Sequence, residues 1–148
     1  MSIKQLSLVL ELEERKEAQA LNAFQQAQVH TNQQQLKLDQ LEQYRQQYIQ
    51  GILDDAALGI RSGQYQQSQS FVGQLDKACE KQSRQVVQSK LVQTQRQTIW
   101  QQTQQKRKAI EQLITKKKAL LTSQRIRKEQ AVHDDFAIQR FLRNKSIF

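Results

Sequence analysis

GILDDAALGIRSGQYQQSQSFVG, residues 51–73, decides the fold. All four glycines of the chain, Gly51, Gly59, Gly63 and Gly73, fall inside it, and the chain has no proline. Outside it the sequence is mostly Gln, Leu, Lys, Arg, Glu and Ala, residues that lose little rotamer freedom in a helix. Glycine accepts left-handed dihedrals, so clustered glycines mark where a helix ends and the chain turns back. The reading is a helix at about 3–53, a turn at about 54–62, a helix at about 63–141 and a short C-terminal tail. That makes residues 1–148 a single all-α domain, a long antiparallel two-helix coiled-coil hairpin.

Working outward, the first helix opens on Ser2 and Gln5, a capping-box pair whose side chains satisfy each other's free backbone N–H. With Ile3 as position a, the a series reads Ile3, Leu10, Glu17, Phe24, Thr31, Leu38, Arg45, Ile52. The d series reads Leu6, Glu13, Ala20, Ala27, Gln34, Leu41, Tyr48, Asp55. Ten of these sixteen positions are apolar, which indicates a seam with polar interruptions.

Beyond the turn, Ser62 is the expected N-cap. The second seam takes its a positions from Val72, Cys79, Val86, Gln93, Trp100, Arg107, Ile114, Leu121, Lys128, Asp135 and Leu142. The d positions are Leu75, Gln82, Ser89, Arg96, Thr103, Ile110, Lys117, Gln124, Ala131 and Ile138, fewer of them apolar. Apolar doublets such as Val86–Val87 and Leu113–Ile114 predict a register that drifts from a strict heptad. The second helix is also the longer, so part of its seam overhangs the first and is left for a partner or a second copy.

Composition bounds the function. The apolar fraction of 37% is low, and roughly one residue in five is Gln. A hairpin has one seam to bury and cannot build a layered core, which favours a scaffold or stalk over an enzyme. Cys79 is the sole cysteine, so no internal disulfide or multi-cysteine metal site is available. His133-Asp134-Asp135 are neighbours that point apart on a helix, and no phosphate-cradling glycine loop exists. The reading is no catalysis, no metal and no cofactor. The apolar run Leu6–Leu10 is too short for a signal or a membrane span, which indicates a cytoplasmic protein.

The net charge of +9 is concentrated: residues 1–75 carry a net −2 and residues 76–148 a net +11. The runs Lys106-Arg107-Lys108 and Lys116-Lys117-Lys118 fit either nucleic acid, an acidic protein surface or a solvated face. No aromatic side chains interleave with them to stack on bases.

Leu41, Tyr44 and Tyr48 form one helix face before the turn; Phe71, Leu75, Ala78 and Gln82 form another after it. The hairpin brings these faces together, as its own core or as a docking patch in which tyrosine joins an apolar body to a polar tip. Tyr44-x-x-x-Tyr48, the turn with Gly59, then Tyr65…Phe71-x-x-x-Leu75-x-x-Ala78 resembles the flagellar FliJ family. The length, the basic Gln-rich second helix, and Asp134-Asp135-Phe136 followed by Arg140 are similar too.

The resemblance implies an antiparallel coiled coil similar to the central stalk of rotary ATP synthases, acting in flagellar type III export. It implies insertion into the ring of the export ATPase FliI, contact with the export-gate protein FlhA, and a part in the cycling of export chaperones. The gate-contacting face maps onto Leu41, Tyr44, Tyr48, Phe71, Leu75 and Ala78, flanked by Lys37 and Gln82. Leu6, Leu10, Arg140 and Arg143, near the two chain ends, are the expected ring contacts. The stalk of a virulence-type secretion system and a basic coiled-coil nucleic-acid-binding protein are the alternatives. Gly73 is expected to weaken its helix locally.

Overall fold

The structure, a computed structural model, describes residues 1–59 and 62–146. The chain forms α1 (Ile3–Ala57) and α2 (Ser62–Ser146), and among the described residues there is no strand. The two helices pack against each other as an antiparallel hairpin. Their contacts cluster in two units: Met1–Glu17 with Thr103–Phe148, and Ala18–Gln102.

The start of α1 follows the capping-box logic. The Ser2 N–H donates to Gln5 Oε1 (2.9 Å), and the Gln5 N–H donates to Ser2 Oγ (3.1 Å). At its other end α1 runs to Ala57, a turn beyond the sequence boundary near 53, because nothing between Gly51 and Ala57 breaks it. It stops at Gly59, whose φ of 84° lies in the left-handed region. There the Leu58 N–H donates to the Asp55 carbonyl (3.0 Å) and the Gly59 N–H to the Ala56 carbonyl (3.2 Å), tightening the last turn. Among the described residues it is the one glycine with a positive φ. Gly51 and Gly73 are ordinary helical positions with open space where a Cβ would sit. The expected cap at Ser62 falls on a side chain outside those described. α2 continues to Ser146 where a tail was expected, with Arg143 and Lys145 in a last turn that favours positive charge.

In α1, every a and d position from Ile3 to Ile52 is shielded, and only Asp55 is exposed. Phe24, Ala27, Thr31 and Leu38 are buried. The buried Thr31 hydroxyl donates to the Ala27 carbonyl of its own helix (2.9 Å), so it needs no partner from α2.

In α2 the same rule holds from Val72 to Lys117, Arg96 excepted. The expected drift in register does not occur. As far as Ile114, each doublet places one member in the seam and the other outside it: Val86 is 4% exposed and Val87 56%, whereas Leu120 and Leu121 are both exposed. A heptad held through Trp100, Arg107 and Ile114 has no room for the second residue of the pair.

In the unit formed by Ala18–Gln102, cross-helix contacts run in opposite chain directions. Phe24 stacks on Trp100 at 5.7 Å with planes 10° apart. The Gln82 amide donates to the Gln34 carbonyl and to its Oε1, both at 2.9 Å. Arg45 pairs with Asp76, and Tyr48 meets Phe71 at 4.7 Å. In the other unit Arg107, at a seam position, donates to Glu17 of α1 and to Glu111 of its own helix (2.9 Å). Hydrogen bonding to Glu17, then to Glu111, raises the Arg107 pKa above its ordinary value. The contribution of that raised pKa is complete below the ordinary guanidinium value and is lost only as pH climbs through the folded one.

Candidate functional site

Two regions of the hairpin carry groups that its own seam does not use. The first lies at the turn end, within Ala18–Gln102. Tyr44 is 49% exposed and packs at 6.5 Å against Tyr48 on its own helix. Tyr48 is half-buried and reaches Phe71 of α2 with rings tilted by 58°. A groove between the helices continues from this pair, lined by Tyr48, Ile52, Tyr65, Ser68 and Phe71. Tyr65 is held from below by Gln69, whose amide donates to its hydroxyl (2.8 Å). The hairpin thus brings Tyr44, Tyr48 and Phe71 into one aromatic cluster.

The other members of the expected docking face need correcting. Leu75 is 7% exposed and belongs to the seam, so it cannot itself present a contact surface. Leu41 and Ala78 are partly covered; Leu41 is a d residue of α1. Both helices turn that stripe toward each other because it is the only continuous apolar stripe they have. Lys37 is exposed, whereas Gln82 is engaged with Gln34. Sequence reasoning did not single out Tyr65 as a groove residue or Ile52 as its floor. The i, i+4 spacing of Ile52 from Tyr48 was the available signal.

The second region lies within the unit Met1–Glu17 with Thr103–Phe148. Every described residue from Leu121 to Lys145 is exposed, because α1 begins at Ile3 and supplies no further partner. Large apolar side chains stand all round this overhang. At about 100° per residue, Leu121 lies on the same side as Val132, Ile126 and Ile138 lie about 120° to either side, and Phe141 is opposite. These residues are between 46% and 69% exposed. Among them sit Arg125, Arg127, Lys128, Arg140 and Arg143, all exposed. Of the four expected ring contacts, Arg140 and Arg143 are on this overhang. Leu6 is 7% exposed and packs into the seam; Leu10 is partly covered.

Beside the start of α1, Met1, Leu6, Leu113, Lys116, Lys117 and Leu120 line an apolar groove with a basic rim. Both basic runs straddle the seam: their central residues, Arg107 and Lys117, take a and d positions and turn inward, while their neighbours diverge to either side. Neither run makes the continuous exposed cationic track that a nucleic-acid backbone would follow.

Among the described residues no group of three or more His, Cys, Asp or Glu side chains is placed to hold a metal ion. Nor is any helix long and apolar enough to cross a membrane.

The family model for the flagellar FliJ protein matches residues 1–146. The chain belongs to the FliJ family. No curated protein and no solved structure matches it significantly. FliJ membership makes it a component related to flagellar export, and the all-α hairpin is the fold that the sequence resemblance implied. Both regions described above lie inside the matched residues.

Proposed function

We propose that this protein is a non-enzymatic stalk that couples the export ATPase FliI to the export gate FlhA and assists the cycling of export chaperones. The observation that carries the reading is the overhang of α2. A helix with apolar side chains on one side only suits a groove. One with large apolar residues at every azimuth, interleaved with arginines, suits a sleeve formed by several subunits around it. Leu10, Arg140 and Arg143 supply ring contacts in this reading, and Leu6 holds the adjoining hairpin together beneath them.

Coupling works through differential contact. The overhang has no rotational symmetry, so each subunit around it meets a different set of side chains, and a subunit's nucleotide state is biased by the set that it meets. The gate is engaged at the other site, through the cluster of Tyr44, Tyr48 and Phe71, with Ala78 at its edge and Leu41 and Leu75 supporting it from the seam. Aromatic side chains that are partly exposed and already packed bind at low entropic cost. The protein works in the cytoplasm, peripheral to the membrane-embedded apparatus.

The test is the ATPase rate of hexameric FliI with and without the purified protein. Stimulation that is lost in Arg140→Glu/Arg143→Glu supports the role; an unchanged rate at saturating protein overturns it.

A further inference from the structure

The overhang of α2 is self-complementary about Ala131. Arg127 and Lys128 lie four and three residues before it; Asp134 and Asp135 lie three and four after it. Further out, Gln124 stands opposite Ile138, and Leu120 opposite Leu142. At 3.6 residues per turn all of these fall within about 60° of the Ala131 azimuth, so they share one face. That face continues the a and d positions of the α2 seam past the point where α1 ends. Every one of these residues is exposed, Leu120, Ile138 and Leu142 among the large apolar ones.

We infer that the occupant of this face in the free protein is the same face of a second copy, running antiparallel about a two-fold axis at Ala131. A two-fold interface is isologous: whatever residue i meets, its mate meets i in return. With the axis at Ala131, the basic pair of each copy falls opposite the acidic pair of the other, and the leucines at either end close the contact. The small Ala131 side chain lets the two helices approach at the point where they cross the axis. A parallel pairing in register sets Lys128 beside Lys128 and Asp135 beside Asp135, so the charges select the antiparallel arrangement. The paired segment, residues 120–142, is roughly 34 Å long, about six turns of helix. Because such a pair covers one side of the overhang, it excludes entry of that overhang into a closed ring.

The experiment is sedimentation equilibrium on the full chain, without any ATPase, over a concentration series at low salt. It compares the wild type with Arg127→Glu/Lys128→Glu, with Asp134→Lys/Asp135→Lys, and with the two variants mixed in equal amounts. Circular dichroism of each variant checks that helix content is retained. The expected result is a wild-type monomer–dimer equilibrium that weakens at least roughly tenfold in either variant alone, since opposed charges become like charges, and returns in the mixture. A wild type that stays monomeric throughout overturns the inference. So does a dimer that neither variant disturbs, or a mixture that fails to recover. None of these results depends on ATPase stimulation, so a failure here is distinguishable from a failure of the stalk role.

Discussion

The Tyr48 ring meets the Phe71 ring at 4.7 Å with planes tilted by 58°, joining α1 to α2 next to the turn. The same pair lines the groove that is open to a partner. One contact therefore serves both the hairpin and the surface proposed for the gate. Tyr44 sits beside the pair, nearly half exposed, and touches only its own helix among the ring contacts.

This separates two kinds of substitution. Tyr44→Ala is expected to weaken FlhA binding while changing stability by no more than about 0.5 kcal/mol, as for an exposed site. Tyr48→Ala and Phe71→Ala are expected to weaken binding and also to cost about 2 kcal/mol, less than a fully buried ring because both are half-covered. Titration of each variant against purified FlhA, beside a urea melt, gives both quantities. Normal binding by Tyr44→Ala would remove the proposed face.

Phe24 and Trp100 fix the register further along the same unit. Phe24→Ala is expected to destabilise by about 3 kcal/mol, the low end for a buried aromatic ring. In a double-mutant cycle with Trp100→Ala, the coupling is expected at about 0.5–1.5 kcal/mol, the worth of an aromatic pair beyond its burial. Additive losses in chemical denaturation would show that the stack carries no energy of its own.

The glycines divide by conformation. Gly51→Ala and Gly73→Ala are each expected to stabilise by about 0.5–1 kcal/mol, since both are helical with open space around them. Gly59→Ala places a Cβ in the left-handed region and is expected to cost about 1–2 kcal/mol. Thermal melts of the three variants should therefore split in opposite directions. A stabilised Gly59→Ala would contradict the turn geometry.

Arg107 occupies a seam position and holds Glu17 across the interface. Arg107→Leu alone is expected to lower the melting temperature, because it leaves the Glu17 carboxylate facing an apolar neighbour. Arg107→Leu with Glu17→Leu is expected to recover it or exceed it. If the single and double variants melt alike, the pair contributes nothing to fixing the register.

Much of this was legible in the heptads. A residue such as Leu38 or Val86 buries because its seven-residue spacing keeps it on the side where the partner helix lies. The capping box at Ser2 and Gln5 was readable because it needs only local geometry. What the pattern did not reveal depends on what lies opposite. Leu121 and Leu142 are spaced like Ile114, yet they are exposed because α1, which begins at Ile3, does not run beside them. Likewise Leu75 and Tyr44 carry the same resemblance, and only the packing tells that one is sealed and the other open. Four clustered glycines pointed to the turn, but among the described residues backbone conformation singles out Gly59.

Deletion of residues 121–148 follows from the same contrast. At concentrations where the intact chain is monomeric, the shortened hairpin is expected to keep its unfolding midpoint, since the described residues removed are exposed along their whole length. It is expected to lose ATPase stimulation entirely. A large drop in midpoint, followed by fluorescence of Trp100 in guanidinium, would show that the overhang supports the seam after all.

No side chain among the described residues is fully sealed from solvent, not even Phe24 or Val86. Unfolding such a molecule uncovers little hydrocarbon that water did not already wet. Its heat-capacity increment should then fall below the usual 12–15 cal/mol/K per residue, about the value for globular domains. Stability will change slowly with temperature, and the protein will loosen by degrees where a globule of equal length would melt sharply.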